Sequence, residues 1–176
     1  MTKIRRSLAL AALPLTLLAT ACSTATATRD DTGRTVRELL DRDQISTLID
    51  QLGVTLDEGR FEDLRTIYTA EATAHTPGGV ATGIAAVIAQ ASRNHDPSKK
   101  IQHVLTNVLI TLHGDTAEVR TNVVATFAPA GDGARLAPEP EYTLGGVYRF
   151  DAARTAQGWR LASVRMSPLW STGIRP

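Results

Sequence analysis

The histidines of this sequence are the side chains best suited to chemistry, because imidazole exchanges protons near neutral pH. His103 stands among apolar residues in Ile101–Leu112, a stretch rich in leucine and β-branched residues that predicts a strand. Asn107 has the same strand parity, so we expect it on the same side of the sheet as His103. His103 is therefore a candidate general acid or base. The alternative is a core histidine bonded to the backbone.

Other common catalytic patterns are missing from the sequence. The four histidines are scattered, and none has the i, i+4 spacing of a zinc-binding helix. We find no Ser-His-Asp motif, phosphate loop or dinucleotide-binding glycine fingerprint. Any catalysis is therefore expected to be proton transfer without a cofactor or metal.

The elements that position these residues begin with helices. Apolar residues recur with helical spacing across Val36–Glu58, at Ile45, Leu48, Ile49, Leu52 and Leu56. Gly59 is expected to end this helix in a left-handed conformation. Phe61–Tyr68 continues the period as a second helix, and the threonine-rich run Thr69–His75 is expected to be a strand.

Later segments add one helix and four strands. Gly83–Asn94 has helical spacing, and Thr76–Gly79 and Pro129–Pro140 read as a turn and a loop. Gly145-Gly146 predicts a bulge or sharp bend. The four later strands are expected at Ile101–Leu112, Thr116–Phe127, Glu141–Asp151 and Trp159–Trp170. Helices followed by a strand meander predict an α+β domain, with the helices packed on a curved, mostly antiparallel sheet.

The N-terminus has the organisation of an export signal. Lys3, Arg5 and Arg6 precede an apolar run, Leu8–Leu18, that is too short to span a bilayer as a helix. Leu18-Ala19-Thr20-Ala21-Cys22 resembles a bacterial lipobox, so residues 1–21 are expected to be a signal peptide and Cys22 to be lipidated. The alternatives are a plain secretory signal cut at Ala21 and, from the arginine pair, twin-arginine export.

Composition limits the mature protein and its partners. Residues 22–35 are rich in Ser, Thr and Ala and predict a flexible tether between the anchor and a domain at 36–172. After cleavage before Cys22, 16 basic residues face 18 acidic ones, so nucleic-acid binding is not expected. One cysteine permits no intrachain disulfide. We expect a domain outside the cytoplasm, attached to the membrane by a lipid.

Four segments together resemble the SnoaL-like group of the nuclear transport factor 2-like superfamily. They are Leu56–Phe61, Gly83–Val87, Gln102–Asn107 and Gly158–Leu161. The resemblance covers about 36–170 and implies a cone-shaped α+β barrel with a deep apolar pocket, often as a homodimer packed through the sheet. The superfamily contains dehydratases, isomerases, hydrolases, cyclases and binding modules, so the fold alone does not imply one activity.

The scytalone dehydratase-like members imply the site. There, a histidine matching His103 lies in the pocket and works with an aspartate matching Asp57. His75, at the end of the first predicted strand, lies near where pocket residues sit in this fold, or is an exposed strand-end histidine. The aromatic residues of the later strands are expected either in the pocket wall or, as is more common on strands, in the core; they are Tyr142, Tyr148, Trp159 and Trp170. Leu56 stands where that group has a tyrosine, and no histidine between Thr116 and Phe127 matches its second one.

Two functions follow from the resemblance. The first is a cofactor-free lyase or isomerase that uses Asp57 and His103 on a small apolar molecule. The second is an envelope lipoprotein that binds an apolar ligand or a protein without turnover. Ketosteroid isomerisation is disfavoured, because Leu52 and Thr76 occupy the positions that match its tyrosine and aspartate.

Overall fold

The structure is a computed structural model that describes residues 20–93, 95–131 and 139–174, with side chains from residue 31 onward. The chain divides into two units, Met1–Arg37 and Glu38–Pro176, which are described separately. Residues 1–19, which hold most of the predicted signal peptide, lie outside the described residues. So does 132–138, the centre of the predicted loop.

The described part of the first unit is helical. Helix α1 spans Thr20–Asp57 and therefore begins well before the predicted start at Val36. The segment 22–35 was expected to lack regular structure. The segment contains no proline, the residue that most strongly disfavours a helix interior. Within it, the Arg34 side chain contacts the Asp31 carboxylate at 2.7 Å, and the Thr35 hydroxyl donates to the Asp31 carbonyl. Such i, i+3 and i, i+4 contacts stabilise a helix locally.

Helix α1 ends as its sequence predicts. Gly59 has φ +67°, and its N–H donates to the Leu56 carbonyl at 3.3 Å while the N–H of Arg60 donates to the Thr55 carbonyl at 3.0 Å. This hydrogen-bond pair is the Schellman arrangement, which needs a left-handed residue and therefore favours glycine. A short 3₁₀ helix, Phe61–Asp63, and α2, Leu64–Ile67, follow. The predicted second helix thus ends one residue early, because Tyr68 is already extended.

Strands and the third helix complete the second unit. Strand β1, Tyr68–Thr76, forms a hairpin with β2, Gly79–Thr82, which the sequence did not predict. Helix α3 spans Ile84–Ser92. The four long strands are β3 Lys99–His113, β4 Thr116–Pro129, β5 Tyr142–Thr155 and β6 Gly158–Gly173.

These strands form one sheet in the order β2-β1-β6-β5-β4-β3. The last four are an antiparallel meander, and β1 joins β6 in parallel. The predicted α+β class, with helices packed on a curved and mostly antiparallel sheet, is confirmed. Strand β3 lies at one edge of the sheet, so one side of its backbone has no neighbouring strand in this sheet.

Bulges interrupt the simple alternation of strand β6. Gly145 pairs with Trp170 and Gly146 with Pro168, so β6 carries an extra residue opposite the two glycines, as predicted. A second bulge at Ala162 puts both Leu161 and Val164 in the core. Simple alternation would place Leu161 and Val164 on opposite sides of β6, and the extra residue removes that difference.

The core lies between the helices and the concave face of the sheet. Ile45, Ile49 and Leu52 of α1 are buried against sheet residues such as Phe150 and Leu161. Burying such aliphatic and aromatic side chains stabilises the fold by about 1.5–3 kcal/mol each. None of the helices in the described part of the chain is long and apolar enough to cross a bilayer.

A polar network joins α1 to the β5–β6 hairpin. The buried Asp41 carboxylate accepts hydrogen bonds from the Trp159 indole at 3.0 Å and from the Arg154 guanidinium at 2.6 Å. Arg154 also lies over the Trp159 ring and contacts Asp115 at 2.9 Å. The bond to Asp41 raises the pKa of Arg154. Trp159 is therefore a core residue with a satisfied N–H.

Candidate active site

A cavity of about 530 Å³ opens between the helices and the sheet of the second unit. Its wall is largely apolar, with contributions from α1, α3 and most strands. Strand alternation explains the sheet side, because Val123, Ala125 and Phe127 of β4 share one parity and all line the cavity. The volume suits a small organic molecule.

The structure brings His103 and Asp57 together at this cavity. His103 Nδ1 lies 2.6 Å from Asp57 Oδ1, and their side chains are 12% and 24% exposed. His103 lines the cavity, whereas Asp57 lies behind it in contact with the imidazole. The carboxylate therefore accepts a hydrogen bond from Nδ1–H, and Nε2 is the nitrogen left with a free lone pair.

The fold also fixes the carboxylate itself. The backbone N–H of His103 donates to both Asp57 oxygens, at 2.9 and 3.1 Å. This N–H is available because β3 is an edge strand and α1 ends at Asp57 beside it. Three contacts between two residues hold the imidazole in one orientation.

Two tyrosines in the cavity wall have perturbed acidity. Burial raises the pKa of Tyr148 to about 12. Burial also raises the pKa of Tyr68, and the nearby Tyr148 adds to this effect. Both phenols therefore stay protonated at neutral pH and can donate a hydrogen bond. Tyr148 was expected in either the pocket wall or the core, and Tyr68 was not proposed as a site residue.

Tyr142 and Trp170 both line the cavity. The Tyr142 ring packs on Phe127 with a centroid distance of 5.7 Å. The Trp170 ring lies against Gly145, where an added Cβ would collide with it. The glycine pair therefore lets the indole cross β5 closely.

His75 and Asn107 are not among the described residues that line the cavity. On β1, Ala74 faces the cavity, so by strand alternation His75 faces the opposite side. Asn107 lies in a bulge between Thr106 and Leu109, with φ +56°, and is exposed. The extra residue breaks the parity from which we expected His103 and Asn107 to share a face.

The cavity is built on a known type of domain. A family model described as the SnoaL-like domain matches residues 37–165. The chain belongs to the SnoaL-like domain family. The resemblance of Leu56–Phe61 and Gln102–Asn107 to this group is thereby confirmed at the level of the family.

Several solved structures share the fold of this SnoaL-like domain. A putative scytalone dehydratase from Novosphingobium aromaticivorans is 18% identical, with a TM-score of 0.68 over 81% of this chain and 93% of its own. A nuclear transport factor 2-like protein with a cystatin-like fold, from the same organism, is 25% identical, with a TM-score of 0.65 over 80% and 89%.

A hexachlorocyclohexane dehydrochlorinase is 17% identical, with a TM-score of 0.68 over 80% of this chain and 93% of its own. At such identities, likeness to the dehydratase and the dehydrochlorinase shows the fold alone. Among curated proteins, no sequence matches this chain.

Sequence reasoning missed part of the SnoaL-like cavity wall. His95 is exposed and also lines the cavity, with its ring 5.2 Å from that of Phe61. An added Cβ on Gly59 would come within 2.8 Å of this imidazole. The glycine after Leu56-Asp57-Glu58 was a visible signal of close approach, but the sequence did not say by which residue.

Proposed function

We propose that this SnoaL-like protein is a cofactor-independent lyase or isomerase that removes a proton from a small apolar molecule. His103 is the general base, and Asp57 is its positioning residue. The observation that carries the proposal is the 2.6 Å contact between His103 Nδ1 and Asp57 Oδ1 at the wall of an apolar cavity.

The geometry supports this assignment through the tautomer of the imidazole. Because Asp57 accepts a hydrogen bond from Nδ1–H, His103 presents a basic Nε2. The negative charge of the carboxylate then stabilises the imidazolium that forms when Nε2 takes a proton. An apolar cavity strengthens that electrostatic interaction by excluding water. No group of three or more His, Cys, Asp or Glu in the described part of the chain is placed to hold a metal ion.

An elimination in this site balances without a further reactant. Nε2 takes a proton from a carbon of the substrate, and the C–H electron pair becomes a new double bond. The bond to the leaving group on the adjacent carbon breaks. A leaving hydroxide then takes the proton back from the imidazolium, so the products are an alkene and water and His103 is neutral again. Returning the proton to another carbon gives isomerisation.

Two solved relatives are named for eliminations, the putative scytalone dehydratase and the hexachlorocyclohexane dehydrochlorinase. Their low identities carry no residue roles to this chain. They support the proposal because both reactions begin or end with movement of a proton at carbon or at a leaving group, which is what a histidine base provides.

The test uses proton exchange, since the natural substrate is unidentified. The protein is incubated with the apolar ketone α-tetralone in D₂O, and loss of the signal of the hydrogens next to the carbonyl is followed by NMR. We expect exchange above the buffer rate in the wild type and a fall of roughly 100-fold or more in His103→Ala.

His113→Ala is the matched control, because His113 is exposed at the β3–β4 turn and is expected to leave exchange unchanged. Circular dichroism confirms that both variants are folded. Equal exchange in the wild type and His103→Ala would overturn the proposed role of His103. A wild-type rate no higher than that of buffer would overturn the carbon-acid activity.

A second candidate is binding without turnover. It is supported by the cavity-facing residues of β4, which are Val123, Ala125 and Phe127 and provide no second polar catalytic group. Under this alternative, a ligand recovered after incubation in the cavity is chemically unchanged and its hydrogens do not exchange.

We also propose export and lipid anchoring. The proposal is supported by the basic start, the apolar run and the Leu18–Cys22 lipobox pattern of the sequence. Intact-mass spectrometry of the protein from a bacterial membrane fraction is expected to show a chain that begins at Cys22 with added acyl chains, and Cys22→Ser is expected to release the protein from that fraction. A mature mass without acyl chains would contradict lipidation.

The homodimer implied by the resemblance is likewise a proposal. It is supported by Val104 and Leu109 on edge strand β3, which are 48% and 62% exposed. Burying large apolar side chains of an exposed strand against another protein surface is energetically favourable, so such side chains mark a candidate interface.

A further inference from the structure

We propose that the outer face of the sheet holds a binding site for a compact dianion that carries a phosphate group. The site is formed by the arginine row, which is Arg120 on β4, Arg149 on β5 and Arg165 on β6. These three strands are neighbours in the sheet. The arginine row lies on the face away from the cavity, so a phosphate bound there would be separate from any substrate of His103.

Strand register aligns the arginine row. Arg120 pairs directly with Arg149, and Arg149 pairs directly with Arg165. His75 on β1 continues the line, because it pairs with Arg165. Directly paired residues project from the same face of a sheet. Since neighbouring strands are about 4.8 Å apart, the three guanidinium groups are carried on one line about 10 Å long.

Strand alternation shows that this face is the outer one. Met166, the neighbour of Arg165 along β6, lines the cavity, and so does Tyr148 beside Arg149. Because adjacent side chains of a strand point to opposite faces, these arginines point away from the cavity. Arg149 and Arg165 are exposed accordingly, and Arg120 is half-buried. The arginine row is therefore accessible to a ligand from solution.

The positive charges of the arginine row are not offset by direct contact. In the part of the chain that the structure describes, no carboxylate forms a salt bridge with any of the three. In contrast, Arg60, Arg65 and Arg154 each contact a carboxylate. Like charges directly opposite on neighbouring strands are unfavourable. An anion bound across the arginine row would relieve this repulsion.

The residues on either side of the arginine row limit what can bind. Asn122 and Ser167 lie two positions along β4 and β6 on one side, and they add an amide and a hydroxyl. Glu118 and Asp151, which pair with each other, lie two positions along on the other side. An extended anionic surface such as a bilayer would meet these carboxylates. A compact anion on the Asn122 side avoids them, so the flanking residues favour a small ligand.

A phosphate group matches the arginine row in geometry and in charge. A guanidinium group presents paired N–H donors that can bond two phosphate oxygens at once. A phosphate monoester has three terminal acceptor oxygens, so it can accept hydrogen bonds from neighbouring arginines at the same time. Its two negative charges also offset two of the three positive charges, which a monoanion such as acetate does not.

The test is a ³¹P NMR titration of inorganic phosphate with the full chain, at constant ionic strength and at a pH above about 7, where the dianion predominates. We expect the wild type to bind phosphate. Arg149→Gln, which removes the central guanidinium, is expected to weaken the Kd roughly three- to tenfold. Acetate at the same ionic strength should compete poorly.

Arg93→Gln is the matched control, because it removes the same charge from an exposed arginine at the end of α3. It should bind phosphate as the wild type does, and circular dichroism confirms that both variants are folded. Equal phosphate affinity in the wild type and Arg149→Gln would overturn the inference. So would a wild type that does not bind phosphate.

Two further measurements distinguish the other occupants of this face. Phosphatidylglycerol vesicles are expected to pellet the wild type and Arg149→Gln equally. Vesicle binding that needs Arg149, without phosphate binding that needs it, would assign the arginine row to a lipid surface and overturn the inference. A dimer that dissociates in Arg149→Gln and binds no phosphate would overturn it as well, because a second copy of the chain would then cover the arginine row.

Discussion

At the scale of single residues, Asp57 differs from an ordinary acidic residue at a helix end. Such a carboxylate normally faces water, and it is unfavourable beside the negative end of the helix dipole. Here it accepts hydrogen bonds from both the side chain and the backbone N–H of His103. These bonds compensate for its position and explain why it is only 24% exposed.

Replacing Asp57 with asparagine should separate positioning from binding. An amide can donate to Nδ1, which favours the tautomer with the proton on Nε2 and removes the base from the cavity. We expect deuterium exchange into α-tetralone to fall by roughly 100-fold or more. The Kd for the ketone should stay unchanged, as measured by titration.

Asp50→Asn is the matched control, because Asp50 is exposed on the same helix. In ¹H NMR the wild type and Asp50→Asn should share a downfield His103 Nδ1 proton that Asp57→Asn lacks. A folded Asp57→Asn variant with wild-type exchange would show that Asp57 does not position the base.

At the scale of elements, the junction after α1 places two parts of the site. Gly59 turns the chain so that the 3₁₀ helix Phe61–Asp63 follows at once, and its φ of +67° suits glycine. The absent side chain also makes room for His95, which packs edge-on against Phe61 at the cavity. One glycine thus serves both the helix end and the cavity wall.

Gly59→Ala is expected to lower the free energy of unfolding by about 1–2 kcal/mol, because alanine is strained in the left-handed region. Its Cβ would also displace the His95 imidazole. Urea denaturation measures the loss. Gly33→Ala is the control, since a Cβ there meets nothing within 4 Å. If Gly59→Ala were as stable as the wild type, the left-handed conformation would not be required.

The existence of the four long strands followed from periodicity, whereas the bulges at Asn107 and Ala162 did not. Thr116–Phe127, which was expected as a strand, alternates between more and less buried residues in the structure. Asn107 and Ala162 each sit at a register shift that reverses the parity of everything beyond it. A bulge without glycine depends on pairing with a distant strand, so the local sequence gives no signal of it.

At the scale of the whole molecule, the buried charged network and the exposed apolar side chains lie in different parts of the sheet. Asp41 contacts Arg154 and Trp159, residues more than a hundred positions away, and thereby fixes α1 to the far end of the sheet. The exposed Val104 and Leu109 lie instead on edge strand β3.

Leu109→Glu should shift a dimer toward the monomer, because covering a charge in an apolar interface is unfavourable. Light scattering coupled to size exclusion is the measurement, with the mature domain at several concentrations. Val80→Glu is the control, since Val80 is equally apolar and exposed on β2 at the other edge of the sheet. A wild type that is monomeric at every concentration would contradict the homodimer.

The sequence by itself determined the class of fold, the helix end at Gly59, the bulge at Gly145-Gly146 and the pairing of His103 with Asp57 through a family resemblance. The first three depend on local periodicity and on glycine conformation, whereas the pairing was implied by the resemblance alone. Only the tertiary structure decided that Tyr68 and Tyr148 face the cavity and that His75 and Asn107 do not. Which side of a strand borders a cavity depends on register and bulges set by partners far along the chain, and that information is absent from any short stretch of residues.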